Sequence, residues 1–229
     1  MSPTITRPAV RRRSRPADWL IPSGLVLLSL VPALGGASRL AELAGGPAVT
    51  EENARFVEAP VPVLVHIVSV TIYSLLGALQ FSPGFRSRRN GWHRAAGTVL
   101  IPAGLATALS GLWMTAFYDL RAKDTAVVNG VRYVVGTVMV AGLILAVRAL
   151  LRHDYVAHGA WMTRAYAVAM GAGTQALLLG PWLAVARPRP DDPTTIVVNT
   201  AGMTLAWVIN ALVAEWLVHR RRRRGRIAR

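Results

Sequence analysis

PVPVLVHIVSVTIYSLLGALQF, residues 60–81, runs for 22 residues without an Asp, Glu, Lys or Arg. A hydrocarbon core about 30 Å thick is crossed by roughly 20 residues at 1.5 Å rise, so this stretch alone is long and apolar enough to span a bilayer as a helix. Five further windows of the same kind lie on either side of it, at 19–38, 95–117, 131–151, 161–185 and 196–218. Only Arg132, Arg148, Arg164 and Glu215 fall inside these windows. Each lies near an end, where a long side chain reaches the headgroups. The expected fold class is all-α, a polytopic transmembrane bundle of six transmembrane helices.

Composition agrees. The chain is 53% hydrophobic and 16% charged, too apolar for an ordinary soluble domain. Its formal net charge of +15 comes almost wholly from Arg, with Lys123 the one Lys. Such an excess raises the question of nucleic acid, but the Arg residues sit in short segments flanking apolar windows, where anionic lipid headgroups are the nearer partner. No nucleic-acid partner is expected. The absence of Cys excludes disulfides, thiolate metal sites, iron–sulfur clusters and covalently attached haem.

Orientation follows from where the basic residues fall. The two tails (1–18 and 219–229), the second loop and the fourth loop with their flanks carry 19 of the 26 Arg and Lys residues, and the other side carries 7. Cytoplasmic flanks retain basic residues, so both termini are expected in the cytoplasm. The Arg-rich leader and the small residues Gly35, Gly36, Ala37 and Ser38 also resemble a cleavable export signal. An apolar run of about 20 residues is longer than the usual signal core, so an uncleaved first helix is expected. The longest loop, 39–59, contains Gly45, Gly46 and Pro47 and is too small for a catalytic domain.

Within the bilayer, polar groups must find partners inside the bundle. In the second window His66, Ser69, Tyr73, Gly77 and Gln80 follow steps of three and four and share one helix face. That stripe reads either as a polar track for a ligand or as a set of interhelical hydrogen bonds. The third window opens on Trp92, His93 and Arg94 and continues with Gly97, Gly104, Ala108 and Gly111. The fifth opens on His158, Trp161 and Arg164 and continues with Ala165, Ala169, Ala172 and Gly173. Two His residues thus stand at the same membrane level above small-residue seams. Small seams let helices approach closely, and they also leave room for a flat macrocycle between two axial imidazoles. His93 and His158 are therefore the candidate ligands of a haem iron. The alternative is that each lies at a membrane boundary among Arg side chains and phosphates. Trp19, Trp92, Trp113, Trp161, Trp182 and Trp216 fall at the expected interfaces and read as anchors.

Phosphate-binding loops, metalloprotease signatures and nucleophile elbows are absent, and nothing supports hydrolase or transferase chemistry. Pro22, Pro32, Pro102 and Pro181 interrupt helices, as in many transporters, yet no carboxylate lies at mid-membrane depth.

Gln80, His93-Arg94 with Gly97, Ser110-Gly111, and His158 with Trp161-Met162, Arg164 and Tyr166-Ala167 together resemble the uncharacterised bacterial membrane family called domain of unknown function 2306. The resemblance covers about residues 61–185. Its most specific block in that family reads His-Arg-x-Trp-Met-x-Arg-Ser, and here Gly159 and Ala165 replace the first Arg and the Ser. The family has no agreed activity, so the resemblance implies a topology, a bacterial cytoplasmic membrane and a set of candidate residues. The expected function is a membrane subunit or a small-solute permease with no catalytic residues. The alternative is a single-haem b-type protein, with Arg94 or Arg164 on the propionates and Gly97 and Trp161 beside the ring.

Overall fold

The computed structural model describes residues 17–82, 91–119, 124–187, 189 and 192–227. The expected basic tail over residues 1–16, and Arg86, Arg88, Arg89 and Lys123 in the loops, lie outside the described residues. Among those described there are helices and no strand: α1 (Ala17–Ala44), α2 (Ala54–Glu58), α3 (Pro60–Leu79), α4 (Trp92–Phe117), α5 (Ala126–Leu151), α6 (Tyr155–Ala169), α7 (Gly171–Ala186) and α8 (Pro193–Ile227). Six spans are long and apolar enough to cross a membrane, α6 and α7 forming one of them.

The helices outrun the apolar windows because polar sequence continues them. α1 runs on through Arg39 and Glu42, which pair one turn apart. It stops where Gly46 takes φ +63, a conformation that costs a residue without Cβ little. α5 begins at Ala126 because the Thr125 hydroxyl accepts from the Val128 N–H at 3.3 Å, and α6 begins where Asp154 accepts from the Ala157 N–H at 2.9 Å. Pro60 and Pro193 occupy first-turn positions, where a missing N–H costs nothing. α8 has 35 residues and is roughly 50 Å long, so it carries the Arg-rich segment out of the membrane as continuous helix.

The fifth span departs from the single helix expected over 161–185. It divides at Met170, whose φ of −71 and ψ of −3 interrupt the regular helix near the middle of the span.

Four helices form a ring in which each packs on the next, α3 on α4, α4 on α5, α5 on α6 and α6 on α3. α4 and α6 are thereby diagonal. α1 packs on α3 and α7, and α8 lies against α7, α6 and α5. The core inside the ring is built from Tyr73, Leu100, Met139, Leu143, Tyr166 and Met170 with small residues between them. Many large apolar side chains on α1, α3, α5 and α8 remain exposed, Leu20, Val134 and Leu212 among them. In a chain of this hydropathy those faces are the lipid-contacting surface.

Candidate functional site

The two ends of the bundle differ in kind, and each holds some of the residues singled out from sequence. At the end where α8 runs into its Arg segment stand His93 and His158. His93 is exposed in the first turn of α4, and its Nδ1 meets the Gln80 carboxamide oxygen just past α3. His158 is half-buried, and its Nδ1 donates to the Ala146 carbonyl on α5 at 3.0 Å. In both rings Nδ1 faces an oxygen acceptor and so carries the proton. Arg94 is exposed beside His93. Arg164 stacks over Trp161 at 4.7 Å and grips Glu215 of α8 with two hydrogen bonds, Nε to Oε1 at 2.5 Å and Nη2 to Oε2 at 2.9 Å. This fork ties α6 to α8.

Part of the space between α4 and α6 is occupied. Tyr73 and Leu143 lie against Gly104, and the Tyr166 ring lies against Gly77, where an added Cβ would come within 2.4 Å of it. Gly97, one turn from His93, faces open space. Beside Gly77 and Gly104 the seams are filled with protein side chains, whereas Ala108, Gly111, Ala169 and Ala172 line an open cavity. A macrocycle reaching in as far as Gly77 and Gly104 would displace Tyr73, Leu143 or Tyr166.

The α3 stripe resolves into two parts. In its first half, His66 Nδ1 lies 3.1 Å from the Thr107 carbonyl and 3.1 Å from the Ser110 hydroxyl, and Thr107 donates to Ser69 at 3.0 Å. These bonds join α3 to α4. In its second half, Tyr73 is buried with no hydrogen-bond partner for its hydroxyl, and Gln80 turns to His93. Only the first half opens onto a cavity.

That cavity lies at the end of the bundle carrying α2. It has a volume of about 350 Å³, is open on one side, and is lined by α2, α3, α4, α5, the residues flanking the α6–α7 break and α8. Arg55, Tyr118, Asp124 and Arg132 form its charged rim, and His66, Thr115 and Gln175 line it deeper, among Met114, Met139, Met203 and Trp207. The Asp124 carboxylate is almost wholly buried and is shared, one oxygen taking Arg132 Nη2 at 2.8 Å and the other Arg55 Nη1 at 3.4 Å. Asn129 braces this group by donating to the Asp124 carbonyl at 2.9 Å and accepting from Arg132 at 3.0 Å. Two guanidinium groups thus share one carboxylate. Tyr118 closes the side, donating to the Ala59 carbonyl at 2.6 Å, and burial pushes its phenol above the ordinary range, so it stays a donor.

Sequence reasoning singled out His66 and the small lining residues Ala108, Gly111, Ala169 and Ala172, and missed the charged and amide groups. Asp124 and Arg132 look like loop and boundary charges until the fold brings α2 over them. Gln175 carried a signal that could have been used, being an uncompensated amide in the middle of the fifth apolar window. Among the described residues no three His, Asp or Glu side chains gather into a metal site.

No curated protein and no solved structure matches the chain. The family model described as predicted membrane protein, domain of unknown function 2306, matches residues 63–218. The match runs from the second turn of α3 through the last membrane turn of α8 and takes in both the cavity-lining spans and the His93 and His158 end. With two thirds of its length covered, and its six apolar spans in place, this chain belongs to that family of membrane proteins.

Proposed function

We propose that the protein is a small-solute permease or solute-binding membrane subunit of the bacterial cytoplasmic membrane, with the cavity as its solute site. The observation that carries this reading is the cavity itself. Its volume of about 350 Å³ falls in the range of small-molecule sites, and its wall is mostly apolar with a few convergent polar groups. It also reaches the break at Met170, and interrupted spans are where transporters build substrate sites. By the distribution of Arg, the α2 end faces outward and both termini lie in the cytoplasm. Anionic headgroups then meet the Arg segment of α8, where Arg220 already stacks over Trp216 at 5.0 Å.

A solute at a hundredfold its Kd stabilises the folded state by about 2.7 kcal/mol, a rise of several degrees in Tm for a chain of this size. Such a rise is expected for at least one member of a panel of small neutral solutes, measured on protein in nanodiscs. Ala172→Phe, which pushes a ring into the cavity, is expected to abolish it. A panel without any shift, or one that Ala172→Phe leaves intact, removes the reading.

The single-haem alternative, with His93 and His158 as axial ligands, takes second place because Tyr73, Leu143 and Tyr166 fill the interior beside Gly77 and Gly104. Protein produced with haem supply is expected to give no pyridine haemochrome signal. A Soret band that disappears in His93→Ala, His158→Ala would reverse that order.

A further inference from the structure

The cavity contains polar atoms that the protein does not use. The Gln175 side chain projects from the second turn of α7 into the cavity wall, and its Nε2 is buried without a hydrogen-bond partner. No bond to its Oε1 is formed among the described residues either, so a whole carboxamide, two donors and an acceptor, stands idle at mid-span. Across the same cavity, His66 commits its Nδ1 proton to the Thr107 carbonyl. Its Nε2 is left as an acceptor with no partner among the described residues. At the opening the Asp124 carboxylate is shared by Arg55 and Arg132. An idle amide in a low-dielectric wall costs desolvation that nothing in the protein returns. Thr204 and Asn210 also carry unpartnered atoms, but neither lines the cavity, and Asn210 at least accepts from Thr174 at 3.0 Å.

Resting on the solute reading above, we infer that the ligand is a short apolar molecule with a neutral head that both accepts and donates hydrogen bonds. Its acceptor meets the Gln175 amide and its donor meets Gln175 Oε1 or His66 Nε2. Carboxamides are the simplest members of this class. The apolar body lies among Met139, Met203 and Trp207. A full negative charge is disfavoured this deep, because a carboxylate offers nothing to the acceptor nitrogen of His66.

The test uses the full chain in nanodiscs and two probes of nearly equal shape, isovaleramide and 4-methyl-2-pentanone. The first accepts and donates; the second only accepts. Binding is read by Tm shift and by the fluorescence change lost in Trp207→Phe. Isovaleramide is expected to bind at least tenfold more tightly than the ketone. Gln175→Leu is expected to weaken isovaleramide about tenfold and the ketone by less, since the ketone loses at most the one bond to its carbonyl oxygen whereas isovaleramide can lose two. The same substitution is expected to leave the unliganded Tm unchanged or raised, since no protein hydrogen bond is lost. Equal binding of the two probes, or a Gln175→Leu protein that binds isovaleramide as before or melts lower when unliganded, overturns the inference while the solute site stands. Failure of both probes, with no member of the wider panel sensitive to Ala172→Phe, removes the solute site and the inference together.

Discussion

Gly173→Val is expected to lower the stability of the bundle by about 2–3 kcal/mol or more, read as a drop in Tm or in the denaturant midpoint of the detergent-solubilised protein. A Cβ at Gly173 would stand 2.3 Å from the Leu28 carbonyl oxygen and 3.0 Å from its carbon. These are backbone atoms of α1, which cannot swing aside as a side-chain tip can. α1 must move off α7, and overpacking of this kind costs about 1–3 kcal/mol or beyond. Gly180, two turns further along α7, has nothing within 4 Å of an added Cβ. Gly180→Ala is therefore expected to be neutral or stabilising by up to about 1 kcal/mol, the difference in helix propensity. If both substitutions have the same effect, α1 does not pack against α7 as described.

The second large effect concerns the two tyrosines in the middle of the ring. Tyr73→Ala and Tyr166→Ala are each expected to cost about 3–5 kcal/mol, because each ring fills a groove cut by a glycine on the facing helix. Their phenylalanine variants separate them. The Tyr166 hydroxyl donates to the Ser74 carbonyl at 2.7 Å, so Tyr166→Phe is expected to lose about 1 kcal/mol. The Tyr73 hydroxyl is buried and unpartnered, so Tyr73→Phe is expected to be neutral or stabilising. The rings stand 5.8 Å apart, so the two phenylalanine effects should be measured in the double variant as well, where coupling is expected. A Tyr73→Phe protein that melts much lower than the parent would mean that the hydroxyl has a partner, and the polar-track reading of the stripe would return.

Tyr73 also marks the limit of reasoning from spacing. Steps of three and four put His66, Ser69 and Tyr73 on the face of α3 that meets α4, with Gln80 just past the helix end. Spacing says nothing about what the facing helix offers at each level. Opposite His66 and Ser69, α4 presents the Thr107 carbonyl and hydroxyl and the Ser110 hydroxyl. Opposite Tyr73 it presents Gly104, and the same stripe changes from a hydrogen-bonded seam to an apolar joint. His93 and His158 show the same thing on a larger scale. Their places in the first turns of two helices were legible, but the filling beside Gly77 and Gly104 was not, since Tyr73 and Tyr166 come from α3 and α6 and meet there only in the folded ring.

What the sequence determined alone is everything set by the solvent. Six apolar windows, the charges at their ends and the helical periodicity within them follow from the cost of exposing backbone and charge to hydrocarbon, a cost paid locally and so readable locally. The tertiary structure decided the rest: the break at Met170, the Arg164 fork on Glu215, the Arg55–Asp124–Arg132 rim and the cavity beneath it. Each of these depends on the fit of side chains from helices far apart in the chain. Helix packing in a membrane is governed by shape and by interhelical hydrogen bonds rather than by hydrophobicity, and neither leaves a periodic trace in the sequence.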